Sequence, residues 1–232
     1  MIKKEIYKNI FEMNKKIIKS GLVIDSFGNV SGRFKNNFII KPSGIHIDNS
    51  TSDDLVTVDM KEGKYFGELK PSSDTPTHLK LYREFKDIGG IVHTHSIYAT
   101  AWAQAEKPIP CFGTTHADYW NGQIPVTREL KNEEINGAYE EETGKVIIEK
   151  IKELNVDPLY CPGILVAKHG PFTWGETVED AVKHAELLEY IAKLAWFSLS
   201  INPVTEIISK DLLNKHFSRK HGPNAYYGQD SS

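Results

Sequence analysis

Apolar residues recur at helical spacing through the first twenty positions, at Ile2, Ile6, Ile10, Met13, Ile17 and Ile18, with lysines on the outer face. That period predicts an amphipathic helix over 2–19, closed by Ser20-Gly21. Three short segments split by glycine and proline follow, at 28–31, 37–40 and 55–58, and read as strands. Pro76 behind Asp74 and Thr75 predicts a helix over 75–86, with one of those two as its cap. Residues 89–95, Gly-Gly-Ile-Val-His-Thr-His, form a strand entered through glycines. A short helix is expected around 99–105 and a further strand over 108–112. Residues 132–154 read as one long amphipathic helix, with Glu133 and Glu134 at the positive end of its dipole. Residues 163–167 are a continuous apolar run, as in a buried strand. The 177–200 segment is apolar on most sides, which predicts a central helix. A last helix over 209–219 leads to a tail. Interleaved helices and strands, several of the strands adjacent, give one α/β domain over 1–232 with a mixed or antiparallel sheet layered by helices.

Composition narrows the function classes. A chain of 232 residues can bury a core without staples. Its net charge of −3 argues against a general nucleic-acid binder, though a local basic pocket can still take a small anion. The two cysteines form no disulfide framework and suit a reducing cytoplasm. No apolar run is long enough for a membrane span.

His93-Thr94-His95 is the sharpest chemical feature. On a strand, residues i and i+2 project to one face, so both imidazoles can grip one ion. Ordinary hydrogen-bonded histidines are an equal alternative on spacing alone. His169 ends a buried strand where it meets a Gly170-Pro171 turn, a sheet edge where sites gather. Three histidines would leave a fourth position open, the pattern of a catalytic rather than a structural zinc, but spacing does not join His169 to His93. Pro71-Ser72-Ser73-Asp74-Thr75-Pro76-Thr77-His78 offers hydroxyls and backbone N–H groups at a helix start, where phosphates bind and where plain capping is the commoner use. Asp74 could equally be a ligand or a carboxylate beside the metal. Gly28-Asn29-Val30-Ser31 and Lys41-Pro42-Ser43-Gly44 read on their own as turns. Gly113-Thr114-Thr115-His116-Ala117-Asp118-Tyr119 carries a candidate acid–base group in Asp118. The final stretch, with Arg219, Lys220, His221, Tyr226 and Tyr227, is too aromatic and basic for a slack tail and suggests docking. No G-x-G-x-x-G, P-loop, H-E-x-x-H or G-x-S-x-G motif is present.

Taken together these blocks resemble the L-ribulose-5-phosphate 4-epimerase family of the class II aldolase superfamily, almost from end to end. The resemblance implies a three-layer α/β/α domain around a central mixed, largely antiparallel sheet, with a C-terminal tail (about 220–232) completing the site. It implies zinc on His93, His95 and His169 with Asp74 in its sphere, and phosphate held by Gly28, Asn29, Ser43, Gly44, Ser72 and Ser73. Asp118 and Tyr227 would exchange protons with the substrate, Tyr227 from the adjacent subunit of a cytoplasmic homotetramer. Lys41, Thr114, Glu140, His216 and Arg219 match positions near the site without a definite step. Aldolase relatives typically carry Glu where this chain has Asp74, which favours the epimerase branch. The implied reaction interconverts L-ribulose 5-phosphate and D-xylulose 5-phosphate, in arabinose or ascorbate breakdown. C4 is not next to the carbonyl, so its C–H is not acidic. With no nicotinamide fingerprint, cleavage and re-formation of C3–C4 is the expected route. The rivals are a sugar-phosphate aldolase cleaving fuculose or rhamnulose 1-phosphate, and a non-catalytic sugar-phosphate or metal binder.

Overall fold

A computed structural model of the chain describes residues 2–222, 225 and 226. The first helix, α1 (Ile2–Lys19), forms where the apolar period predicts it and buries Ile10 and Ile17. A meander follows: β1 (Asn29–Phe34), β2 (Asn37–Ile40), β3 (Val56–Asp59) and the two-residue β4 (Tyr65–Phe66). Next come α2 (Thr75–Glu84), β5 (Gly90–His93), α3 (Ile97–Gln104) and the one-turn α4 (Thr114–Ala117). The second half holds α5 (Asn132–Asn136), α6 (Tyr139–Leu154), β6 (Gly163–Val166), β7 (Gly170–Gly175), α7 (Val178–Ile201) and α8 (Lys210–Ser218).

The strands form one sheet in the order β4-β3-β2-β1-β5-β7-β6, and every pairing in it is antiparallel. Among the described residues the one parallel contact is an isolated bridge from Val126 to Leu165 at the β6 edge. Alternation along the strands separates two cores. Val30, Ile39 and Val92 pack with α1 and the start of α7 on one face. Ile40, Ile91, Phe172 and Trp174 pack with Leu81, Tyr82, Ile147 and Ile151 of α2 and α6 on the other. Helices therefore cover both faces, as expected of three layers.

Four expectations are corrected. Residues 108–112 make no strand, only a bridge between Ile109 and Ile124. The 132–154 helix is broken at Gly137, whose backbone leaves the helical region (φ −96, ψ −129). Gly170-Pro171 is not a turn but the start of β7, the turn lying one step earlier at Lys168 and His169. Finally, α7 is not central. It buries Val182, Leu188, Ile191 and Ala195 on one side and leaves Tyr190, Leu194, Trp196, Phe197 and Ile201 exposed on the other.

Candidate active site

The register of three strands assembles the histidines. His93 ends β5 opposite Asn29 of β1 and Phe172 of β7. Ile91 and His93 share the α2 face while Val92 turns to the other. The His93 ring is buried and stacks on Phe172, with centroids 4.1 Å apart and planes 16° from parallel. Its Nδ1 lies 3.0 Å from the Pro171 carbonyl. A carbonyl only accepts, so Nδ1 carries the hydrogen and Nε2 presents its lone pair. His95 Nε2 stands 3.1 Å from His93 Nε2. The His169 ring centre is 4.7 Å from that of His93 and 5.2 Å from that of His95. One ligand atom from each residue falls within 4.8 Å of the others.

This donor set fits a divalent cation. Imidazole nitrogens on one tetrahedral zinc, at bonds of about 2.05 Å, sit about 3.3 Å apart. Facing lone pairs repel unless a proton or an ion lies between them. Burial first, then the neighbouring imidazoles, push the His169 pKa down to about 3 and lower that of His95 as well, so these rings stay uncharged at neutral pH and each keeps a lone pair to offer an ion. No cysteine takes part, and a fourth side remains open, as in catalytic rather than structural zinc sites.

His169 owes its place to the β6–β7 hairpin. Lys168, just before it, has φ +61, a left-handed conformation that costs an L-residue roughly 1–2 kcal/mol. The helix α3 braces this turn. The Lys168 N–H donates to the Ala103 carbonyl at 3.0 Å, and its ammonium donates to the Gln104 carbonyl at 3.0 Å and pairs with Glu106. Gly170 is needed because a Cβ there would meet the Thr94 carbonyl oxygen at 2.8 Å.

Asp74 occupies the N-cap position of α2 but its side chain makes no capping bond. Its Oδ2 instead accepts from Asn29 Nδ2 at 2.7 Å, and the same amide reaches Ser72 Oγ at 3.2 Å. Burial raises the Asp74 pKa, but His93, His78 and the Asn29 bond outweigh it, and the carboxyl ends below its ordinary range. Asp74 thus faces the histidines, yet it is not within the group of mutually close ligand atoms. Asn29 Oδ1 is buried without a partner. The loops carrying Ser43 and Ser72 are zipped together by Ser43 N–H to the Lys70 carbonyl and Ser72 N–H to the Lys41 carbonyl.

Together these residues line one cavity of about 340 Å³, within the range of small-molecule sites. It gathers every residue expected to hold phosphate, Gly28, Asn29, Ser43, Gly44, Ser72 and Ser73, with Asp74 and the three histidines. Lys41 lines it too, its ammonium donating to the Ser26 carbonyl at 2.8 Å. Burial lowers the Lys41 pKa, while Asp74 and Asp25 push back up. Sequence reasoning missed Phe27 and Tyr139, both on the wall. Tyr139 opens α6 with its hydroxyl 3.4 Å from His169 Nδ1. The signal that could have found it is Gly137, which restarts the helix two residues earlier.

Asp118 is held elsewhere. It does not line this cavity. Its carboxylate accepts from His216 Nδ1 at 2.9 Å and from Arg219 Nε and Nη2 at 2.9 and 2.6 Å, with Lys220 at 3.5 Å. Burial raises its pKa, but the Arg219 and His216 bonds hold it below the carboxylate range. Tyr227 lies outside the described residues.

Residues 8–196 match the Class II Aldolase and Adducin N-terminal domain. The chain belongs to that family. Among solved structures, the chain resembles an L-fuculose 1-phosphate aldolase at 22% identity and TM-score 0.77, over 93% of this chain and 95% of that one. It also resembles YgbL, a putative aldolase/epimerase/decarboxylase from Escherichia coli, at 24% identity and TM-score 0.74, over 93% and 99%. An L-fuculose-1-phosphate aldolase from Thermus thermophilus matches at 20% identity and TM-score 0.70, over 88% and 100%. At these identities the likeness concerns the class II aldolase fold. Among the described residues no helix is long and apolar enough to cross a membrane.

Proposed function

We propose that this class II aldolase-family chain is an L-ribulose-5-phosphate 4-epimerase, an isomerase that interconverts L-ribulose 5-phosphate and D-xylulose 5-phosphate. The observation that carries the reading is the single cavity in which three imidazoles, Asp74 and the serine- and glycine-lined loops meet. His93, His95 and His169 would hold the ion, zinc by preference, with Asp74 in its sphere. Such an ion supplies Lewis acidity, stabilising negative charge as it develops on the C2 and C3 oxygens. Gly28, Asn29, Ser43, Gly44, Ser72 and Ser73 hold the phosphate, while Asn29 Oδ1, an acceptor without a partner, is placed to take a hydrogen from a substrate hydroxyl rather than from the phosphate. That grip keeps the two-carbon aldehyde from leaving between cleavage of C3–C4 and its re-formation on the other face.

Inversion needs a proton acceptor and donor on opposite faces of that aldehyde, the roles of Asp118 and Tyr227. Asp118 is off the cavity of its own chain, so the reading requires a second copy to bring it there, in a homotetramer with sites between subunits. The exposed apolar side of α7 supports such an assembly. Asp74, where aldolases typically carry Glu, supports epimerisation over net cleavage.

The test is to incubate metal-analysed protein with L-ribulose 5-phosphate and follow D-xylulose 5-phosphate, with a chelated control. Metal-dependent epimer formation is expected, and Asp118→Asn should slow it strongly. Accumulation of free glycolaldehyde phosphate would make the protein an aldolase. Tight binding without conversion would make it a binding protein.

A further inference from the structure

His78 follows Asp74 by one turn of α2 and is fully buried, yet the metal and phosphate roles above leave it unused. Its Nδ1 is 2.7 Å from Ser31 Oγ, and that oxygen is 2.9 Å from the Tyr82 hydroxyl, also fully buried. His78 Nε2 is buried with no partner.

The hydrogens in this chain can be counted. Burial keeps Tyr82 protonated, so its hydroxyl must donate, and Ser31 Oγ is the partner at hand. If His78 donated through Nδ1, Ser31 would pass its hydrogen to Tyr82. The Tyr82 hydrogen and the His78 Nε2 lone pair would then both be stranded. If Tyr82 donates to Ser31 and Ser31 to Nδ1, only one group is stranded, the Nε2–H. Each buried unsatisfied group is costly, so the second arrangement prevails. The outer imidazole nitrogen of His78 is therefore a donor.

Helical side chains lean towards the N-terminus and over the residue four before them, which here is Asp74. Asn29 already serves Asp74 Oδ2, leaving Oδ1 as the acceptor. We propose that His78 is a positioning residue for Asp74. Its Nε2–H, through one bridging water, hydrogen-bonds the Asp74 carboxylate and holds it towards His93, while Ser31 and Tyr82 set the tautomer that makes this possible. The proposal rests on the reading that Asp74 stands in the sphere of an ion held by the three histidines. It makes the buried Ser31–Tyr82 pair part of the site, not merely of the core.

The test compares His78→Gln with His78→Asn by competition for Zn²⁺ against a chromogenic chelator, beside thermal melts. A glutamine amide reaches roughly as far as Nε2, whereas an asparagine amide reaches only as far as Nδ1. His78→Asn is expected to weaken Zn²⁺ binding roughly 10–100-fold, the usual effect of losing a partner behind a metal ligand. His78→Gln should stay near wild type, even if both variants melt earlier. Combining His78→Asn with Asp74→Asn should weaken binding no further than Asp74→Asn alone. Equal losses in the Gln and Asn variants, or no loss in either, would overturn the proposal and leave the metal reading standing. Failure of Asp74→Asn to change affinity at all, or of the wild-type protein to bind Zn²⁺, would overturn both.

Discussion

Lowering the pH should destabilise this protein before most of its carboxylates titrate. His78 and His116 are 0% and 4% exposed, and burial pushes their pKa values down to about 3 and about 4. Neither His116 ring nitrogen meets the geometry of a hydrogen bond, although the Gly122 and Pro110 carbonyls pull its pKa partly back up. Both side chains are neutral in the fold and bind a proton in the unfolded chain near pH 6.5. The unfolded state therefore takes up more protons as acid is added. The stability they allow is complete above about 6.5 and is lost as pH falls from there towards 4 for His116 and 3 for His78. Each costs about 1.4 kcal/mol per pH unit in that window, so by pH 5 the pair removes about 4 kcal/mol. Against a typical total of about 5–15 kcal/mol this is large. Metal-free His169 and the partly buried His184 titrate in the same direction, so about 4 kcal/mol is a lower figure. Urea unfolding of chelator-treated protein at pH 7, 6 and 5 measures it. His116→Gln should flatten the dependence by about 1.4 kcal/mol per pH unit, whatever it does to stability at pH 7. A stability that stays level from pH 7 to 5, or an unchanged slope in His116→Gln, would refute the reasoning.

Three further outcomes are expected. His95→Asn should lose stoichiometric metal by elemental analysis and lose turnover with it, and a variant that keeps both would remove His95 from the ligand set. Gly90→Ala should destabilise by about 1–3 kcal/mol, because the added Cβ would stand 2.5 Å from Val178 Cα, which belongs to backbone and cannot swing aside. A melting temperature equal to wild type would show that α7 is not seated tightly there. Replacing both Trp196 and Phe197 by Glu should convert an assembly into smaller species on size-exclusion chromatography with light scattering, and an unchanged mass would place the subunit contact elsewhere.

What could be read from the chain follows what is local. The α1 stripe and the Pro76 start of α2 are written within one or two turns, and both elements lie where the pattern puts them. The strand β7 was hidden because glycine at both ends and Pro171 near its start carry turn signals, while its six buried residues show no alternation of polarity. The apolar period runs on through Gly137 and masks the break before α6, so the glycine itself was the one local sign of it, and of Tyr139. The all-round apolarity of α7 reads the same whether a helix is enclosed by its own chain or waits for another. Within the site, His93 and His95 are joined by nearness in sequence, although the expected strand over 89–95 stops at His93 and His95 lies beyond its end. His169 is joined to them only by β5–β7 pairing, a long-range register that no local spacing encodes. Asp74 was legible as a residue of interest but not as one that leaves its cap unmade in order to meet Asn29.

The strained turn at Lys168 has a consequence for how this centre can change over time. One imidazole ends a strand of the sheet and the second follows two residues on, but the third is hung from α3, through bonds from Lys168 to Ala103 and Gln104. Small shifts at the end of that helix would tilt one of the three imidazoles and leave the other two in place. Lineages that retune metal preference or reaction outcome therefore have a remote handle, in residues that a survey of the cavity wall alone would pass over.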